Sequence, residues 1–229
     1  MSLSPSRREV LRAAGLGALT LSLGGVDAHA AAHAPQKGLA PGKESMSMRE
    51  MTASNLRSAF GGESMAHMRY KAWGAKAETD GFPNVARLFR AIAHAEEVHA
   101  TNHFKAMKSE AGAFLVASAA GFGLGTTSEN LAGAIEGETF EVNEMYPAYM
   151  DVAKLQGETA AVRSCHYAIE AEKIHAAMYT KAKKAVDKGK DIKLGPVRIC
   201  GVCGHTIEGD APGRCPICAA SKRRYVTFA

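Results

Sequence analysis

From Met46 to about Lys188, apolar residues recur at three- and four-residue spacing, with little of the strict alternation that marks a strand. The pattern predicts four helical stretches. The first covers roughly Arg49 to Thr79 and is broken by Asp80-Gly81-Phe82-Pro83. Pro83 suits the first turn of a second helix, which continues to about Glu110. The Gly- and Ala-rich passage AGAFLVASAAGFGLG has no strong period and is long enough to run the length of a bundle. A third helix starts near Thr126–Thr127, where Thr126 and Glu129 offer a capping box, and ends by Gly157. Pro147 is expected to kink it. The fourth runs from about Glu158 to Lys188.

A chain of this pattern is mainly α-helical. Four long helices with one long central connection form the ferritin-like version of the four-helix bundle. The two halves also repeat. GESMAHMRY (Gly62–Tyr70) is echoed by GETFEVNEMY (Gly137–Tyr146), and AEEVH (Ala95–His99) by AEKIH (Ala171–His175). The offset is 75 residues from Glu63 to Glu138 and 76 from Glu96 to Glu172, which points to a duplicated helical hairpin.

The repeated residues carry chemistry. Positions i and i+3 share a helix face, so Glu96 with His99, and Glu172 with His175, can each bind an ion from one helix. Glu63 and Glu138 add a carboxylate from each remaining helix, with Glu141 a turn beyond Glu138. A Glu from each of two helices plus Glu-x-x-His from the other two is the constellation of di-iron carboxylate bundles. Carboxylates bridge and offset two cations, while each imidazole adds a neutral nitrogen. One such pair on a helix usually faces solvent. Two at matched offset, each following a Gly-Glu helix, do not fit that reading, and burying so many carboxylates without a metal would be very costly. His67, His94 and His103 read as structural; the alternative for His103, one turn past His99, is that it flanks the site. The methionines (Met46, Met48, Met51, Met65 and Met68) fit packing and leader roles.

A second metal motif lies near the C-terminus. Cys200-Gly-Val-Cys203 and Cys215-Pro-Ile-Cys218 are two C-x-x-C pairs separated by eleven residues, able to set four thiolates around one tetrahedral ion. Zinc and iron both suit that geometry, so a zinc ribbon that only staples a small fold stands beside an iron centre. Cys165 stands alone. The bundle is expected over 46–188, a polar linker over 189–196 and the cysteine module over 197–229.

The first thirty residues read as a leader outside the fold. Arg7 and Arg8 precede an apolar stretch from Ala13 to Val26, and Ala28-His29-Ala30 offers a small-residue cleavage site. The paired arginines, with Ser6 before and Val10-Leu11 after, resemble a twin-arginine export signal. An ordinary secretory signal is the alternative. Residues 1–30 are therefore expected to be removed on export to the periplasm, with 31–45 a flexible leader. The apolar run is too short and Gly-rich for a stable membrane span. The formal charge of +5 is spread over scattered Lys and Arg rather than one stripe, so no nucleic-acid partner is expected.

In order, NLRSAFGGESMAHMRY, AEEVHATNHF, GETFEVNEMYP, AEKIH and CGVCGH with CPIC resemble the rubrerythrins over about Met46–Ala229. That family joins a di-iron ferritin-like domain to a rubredoxin-like iron–sulfur module. The resemblance implies Glu63, Glu96, His99, Glu138, Glu141, Glu172 and His175 as di-iron ligands, with Glu141 and His99 exchanging at one iron as its redox state changes. It implies that Tyr70 and Tyr146 hydrogen-bond to ligand carboxylates, and that Cys200, Cys203, Cys215 and Cys218 hold one iron. The implied activity is peroxidase: hydrogen peroxide is reduced to water with electrons relayed from the cysteine-bound iron, itself supplied by a one-electron donor protein. The implied assembly is a homodimer or higher homo-oligomer, with the relay iron of one subunit facing the di-iron site of its neighbour. The alternative function is a ferroxidase or iron-handling protein whose cysteines hold structural zinc. Two features depart from the family. His67 stands where it often has Arg, and an export signal is unusual for a family generally found in the cytoplasm, where nicotinamide nucleotides are at hand.

Overall fold

The structure, a computed structural model, describes residues 49–107 and 123–229. The export signal at Arg7 and Arg8, the leader at 31–45 and residues 108–122 of the Gly/Ala-rich connection lie outside the described residues.

The expected helices are α1 (Glu50–Thr79), α2 (Pro83–Ala106), α3 (Thr127–Phe140), α4 (Tyr146–Gln156) and α5 (Thr159–Val186). Local chemistry sets their ends. Gly81 takes φ +84 after α1, a conformation that costs glycine nothing, and Pro83 opens α2. At the start of α3 the capping box forms as expected: the Thr126 hydroxyl accepts from Glu129 N–H, and Glu129 Oε2 accepts from Thr126 N–H at 2.8 Å.

The third helical stretch differs from expectation at its middle. Instead of a simple kink at Pro147, a π-helical turn, Glu141–Met145, separates α3 from α4, and Tyr146 N–H reaches back to Glu141 O. Proline offers no N–H to the preceding turn, and the wider turn takes up the mismatch just ahead of it. Such turns gather at functional sites, and this one begins on Glu141.

The core is narrow and rich in alanine, which lets helices approach closely. At Gly74 of α1 a β-carbon would lie 3.2 Å from Phe89 Cβ and 3.3 Å from Ala86 O of α2. Tyr70, Trp73, Phe89 and Tyr179 pack as one aromatic cluster with ring centres 5.0–6.0 Å apart. Phe89 is fully buried, so its truncation to Ala would cost about 3–5 kcal/mol.

The cysteine module is a three-stranded antiparallel sheet of β1 (Val197–Cys200), β2 (Thr206–Glu208) and β3 (Tyr225–Phe228), ordered β2-β1-β3. It is not held by a loose tether. In the connecting segment Asp191 accepts from the N–H groups of Asn84 (2.8 Å) and Val85 (3.2 Å), capping α2, while Arg87 donates to Leu194 O. Ile192, Val197 and Ile199 then join the same apolar cluster as Val85, Leu88 and Ile92. Among the described residues no helix is long and apolar enough to cross a membrane.

Candidate metal centres

Helices α1, α2, α3 and α5 bring Glu63, Glu96, His99, Glu138, Glu172 and His175 to one place inside the bundle, each at most 1% exposed. They sort into two groups of four: Glu63, Glu96, His99 and Glu172, and Glu96, Glu138, Glu172 and His175. Within each group the ligand atoms lie within 4.8 Å of one another. Glu96 and Glu172 belong to both. That is the layout for two adjacent cations under two shared carboxylates, each completed by one further Glu and one imidazole. Both imidazoles turn Nδ1 inward. His99 Nδ1 is 2.8 Å from Glu96 Oε2 and from Glu172 Oε1, and His175 Nδ1 is 2.6 Å from Glu172 Oε2 and 3.3 Å from Glu96 Oε1.

Glu141 stands apart. It is partly exposed on the π turn and joins neither group, although its charge reaches Glu63.

The electrostatics call for cations. Burial, then the charges of Glu141, Glu96 and Glu172, raise the Glu63 carboxyl well above its usual range. Burial raises Glu172 likewise, with Glu96 and Glu138 adding to it. Burial would raise Glu96 too, but His175 and His99 outweigh it and bring the carboxyl down to about 2. Burial alone would lower His175, yet Glu172 and Glu96 carry it well upward. One oxygen each of Glu63, Glu96, Glu138 and Glu172 is buried without a well-formed hydrogen bond, and only the two imidazoles stand near them as possible cations. Leaving so many charged acceptors unanswered is expensive. Hard cations would answer them, and the carboxylate and imidazole donors fit iron.

Two tyrosines tie the outer carboxylates, each crossing between the repeats. Tyr70 of α1 donates to Glu138 Oε1 at 2.6 Å, and Tyr146 of α4 donates to Glu63 Oε1. Both meet carboxylates that the resemblance names as ligands. His67 and His94 bond to Ala93 O and Glu97, away from both groups. Cys165 is buried beside Tyr146, Ala59 and Ala168, where burial pushes its thiol up to about 12.

The four C-terminal cysteines form the second centre. Sγ separations are 3.7 Å for Cys200–Cys218 and 3.5 Å for Cys203–Cys215. Four thiolates at ~2.3 Å from one tetrahedral ion would sit about 3.8 Å apart, so the cage is the right size. The adjacent Cys203 thiol, with backbone N–H groups of Val202 and Cys203, brings Cys200 down to about 5, so a thiolate is held ready.

Two residues that sequence reasoning missed connect the centres. Thr206 Oγ1 lies 2.8 Å from His175 Nε2 and donates its own proton to Gly204 O at 3.1 Å. Its oxygen must then accept from His175 Nε2–H, which leaves Nδ1 as the nitrogen that faces the carboxylates and could bind a cation once its proton is displaced. Gly204 (φ +81) lies directly against the buried His99 Nε2 edge, and Asn102 Nδ2 donates to Val202 O at 2.9 Å. The cysteine knuckle thus lies on His99 and His175 of its own chain. The capped connection through Asp191 holds it there. A glycine and a threonine inside a cysteine motif carry no spacing signal that would have marked them.

Comparison with known proteins agrees with this geometry. Residues 54–183 match the family model described as Rubrerythrin, and residues 199–226 match the one described as Rubrerythrin, rubredoxin-like domain. Rubrerythrin-2 of Clostridium acetobutylicum is 48% identical over 178 residues, covering 78% of this chain and 97% of the relative. Nigerythrin of Nitratidesulfovibrio vulgaris is 30% identical over 177 residues, covering 77% of this chain and 86% of the relative. Among solved structures, fully reduced, all-ferrous nigerythrin superposes with a TM-score of 0.69 at 29% identity, covering 77% of this chain and 86% of the other.

Proposed function

The chain belongs to the rubrerythrin family, and on that premise we propose that it is a peroxidase that reduces hydrogen peroxide to water and protects against oxidative stress. It carries a rubrerythrin-type di-iron site and a rubredoxin-like four-cysteine site. In this reading Glu63, Glu96, His99, Glu138, Glu172 and His175 hold the iron pair, Glu141 is the further carboxylate able to join it, and Cys200, Cys203, Cys215 and Cys218 hold the single iron. Loaded, the pair would supply two electrons to the O–O bond, and the cysteine-bound iron would return them singly from a one-electron donor protein. Each turnover then consumes one peroxide, two electrons and two protons and yields two waters.

The chain's own residues prepare that chemistry. Tyr70 and Tyr146 fix the outer carboxylates, and Thr206 holds His175 in the tautomer that presents Nδ1. The buried bundle interior excludes bulk water and strengthens each of these contacts. Glu141, in neither group, is the carboxylate this reading expects to join one of them.

The observation that carries the reading is the cysteine knuckle resting on both ligand histidines, through Gly204 at His99 and Thr206 at His175. A ferroxidase or iron store needs no one-electron relay there. The test is a visible spectrum of natively produced protein, followed by peroxide consumption with an external donor. A red ferric four-thiolate spectrum with sustained consumption supports the reading. A colourless, zinc-filled module with oxidation of added ferrous iron would favour iron handling. We further propose that Arg7-Arg8 direct folded, metal-loaded protein to the periplasm, and that the working unit is a homo-oligomer.

A further inference from the structure

We propose that Ser164, His103 and Tyr146 form a proton-conducting chain of hydrogen bonds from a surface cleft to the Glu63 carboxylate. The proposal rests on the peroxidase reading, since only a reaction that consumes protons needs such a path. Ser164 of α5 and His103 of α2 are nearly or fully buried, and Ser164 Oγ lies 2.9 Å from His103 Nδ1. His103 Nε2 lies 3.0 Å from Tyr146 Oη, with the two rings stacked at 5.6 Å. Tyr146 donates in turn to Glu63 Oε1. At the outer end Ser164 lines a cleft of about 190 Å³ between α2 and α5, with Asn102, Lys105, Arg163 and Tyr167 around it.

The direction of the chain follows from its last link. Tyr146 donates inward to Glu63 Oε1, so its oxygen accepts from His103 Nε2–H. Nδ1 is then bare and accepts the Ser164 hydroxyl proton. Every donor points at Glu63. A proton taken up at Ser164 Oγ moves the Ser164 proton to His103 Nδ1, the Nε2 proton to Tyr146, and the Tyr146 proton to Glu63, which gives it up to the peroxide oxygen being reduced before the next passage. Rotation of the two hydroxyls and return of the imidazole to its Nε2–H form reset the chain. Each peroxide reduced consumes two protons, so two passages match one turnover. His103 needs no stable charge for this. Burial, then the nearby His99, keep it neutral, pushed down to about 3.

Mutual satisfaction of three buried polar groups is the plainer explanation, and the internal repeat argues against it. The 76-residue offset that relates His99 to His175 also relates Tyr70 to Tyr146 and His103 to Tyr179. Tyr70 likewise donates to a ligand carboxylate, but it is surrounded by the rings of Trp73, Phe89 and Tyr179, and Tyr179 Oη is buried without a partner. One repeat therefore ends in an apolar dead end. The other replaces that tyrosine with an imidazole and continues to the surface.

The test uses the full-length chain with Ser164→Ala and His103→Gln. Glutamine can occupy both hydrogen bonds but cannot pass a proton between them. Both variants are expected to load two irons in the bundle. When pre-reduced, they should be oxidised by peroxide about 100-fold more slowly than the wild type. In heavy water the variants should slow by a larger factor than the wild type, because proton delivery has become limiting. Independently of turnover, imidazole nitrogen shifts of zinc-loaded protein should show His103 as the neutral Nε2–H tautomer. Wild-type rates and isotope effects in iron-loaded variants would overturn the proposal, as would an Nδ1–H tautomer. If His103→Gln fails to fold, Ser164→Ala decides. Failure of peroxide to oxidise the reduced wild-type protein would instead overturn the peroxidase reading, leaving the tautomer to report on the chain.

Discussion

Gly204→Ala tests the contact between the cysteine knuckle and the bundle. Gly204 adopts φ +81, and an added β-carbon would lie 2.6 Å from His99 Cδ2 and 3.0 Å from Cε1. Two costs follow. An L-residue in the left-handed region costs about 1–2 kcal/mol, and forcing a methyl against a fully buried ring costs about 1–3 kcal/mol. Gly209 separates them, because it has φ +93 but open space around it. Gly209→Ala should therefore cost about 1–2 kcal/mol, and Gly204→Ala about 2–5 kcal/mol. Denaturant unfolding of the two variants beside the wild type, with equal slopes, measures the difference directly. The clash should also lift Thr206 from His175, so iron loading in the bundle falls while the four-thiolate spectrum persists. Equal destabilisation of the two variants, with both centres filled normally, would mean that the knuckle does not press on His99 and would refute the reasoning.

Glu96→Ala or Glu172→Ala removes a carboxylate shared by both groups, so two-iron loading in the bundle should be lost while the cysteine-bound iron stays; Glu141→Ala, outside both groups, should retain two irons on metal analysis. Metal-free protein should lose stability as pH rises from about 5 to 8. The raised carboxyls of Glu63 and Glu172 and the raised His175 stabilise the fold below their unfolded values and lose that contribution as pH passes their folded ones, whereas Glu96, down at about 2, is already ionised throughout. Thermal unfolding across that range checks the sign, and a metal-free protein that grows more stable would contradict it. Replacing Arg7 and Arg8 together with Lys should leave precursor in the cytoplasm, seen by fractionation; mature protein still reaching the periplasm would count against the twin-arginine route.

Much of the bundle was legible because its signals are periodic. The 76-residue repeat linked Glu96-x-x-His99 to Glu172-x-x-His175, and helix geometry alone then placed all four on inward faces. Capping at Thr126 was readable for the same reason, since a capping box is a local rule. The parts that escaped depend on tertiary contact. Pro147 announced an irregularity but not that it would be a π turn beginning on Glu141. Which carboxylates are shared was not readable either, because spacing along one helix does not say how far each side chain reaches across the bundle. Thr206 and Gly204 gain meaning only once the strand pairing β1–β2 lays them on His175 and His99. His103 read as structural because its partners, Tyr146 and Ser164, lie 43 and 61 residues away.

The central claim is that the four-cysteine centre feeds the bundle site on which it rests. Cys200→Ser with Cys215→Ser tests this most directly, because the two centres share no ligands. Iron in the bundle, single-turnover oxidation of the pre-reduced protein by peroxide, and steady-state peroxide consumption with an external donor would be measured on the same sample. The account predicts normal bundle iron and a normal single turnover, with steady-state consumption lowered by an order of magnitude or more. Steady-state consumption unchanged after loss of the cysteine-bound iron would contradict it.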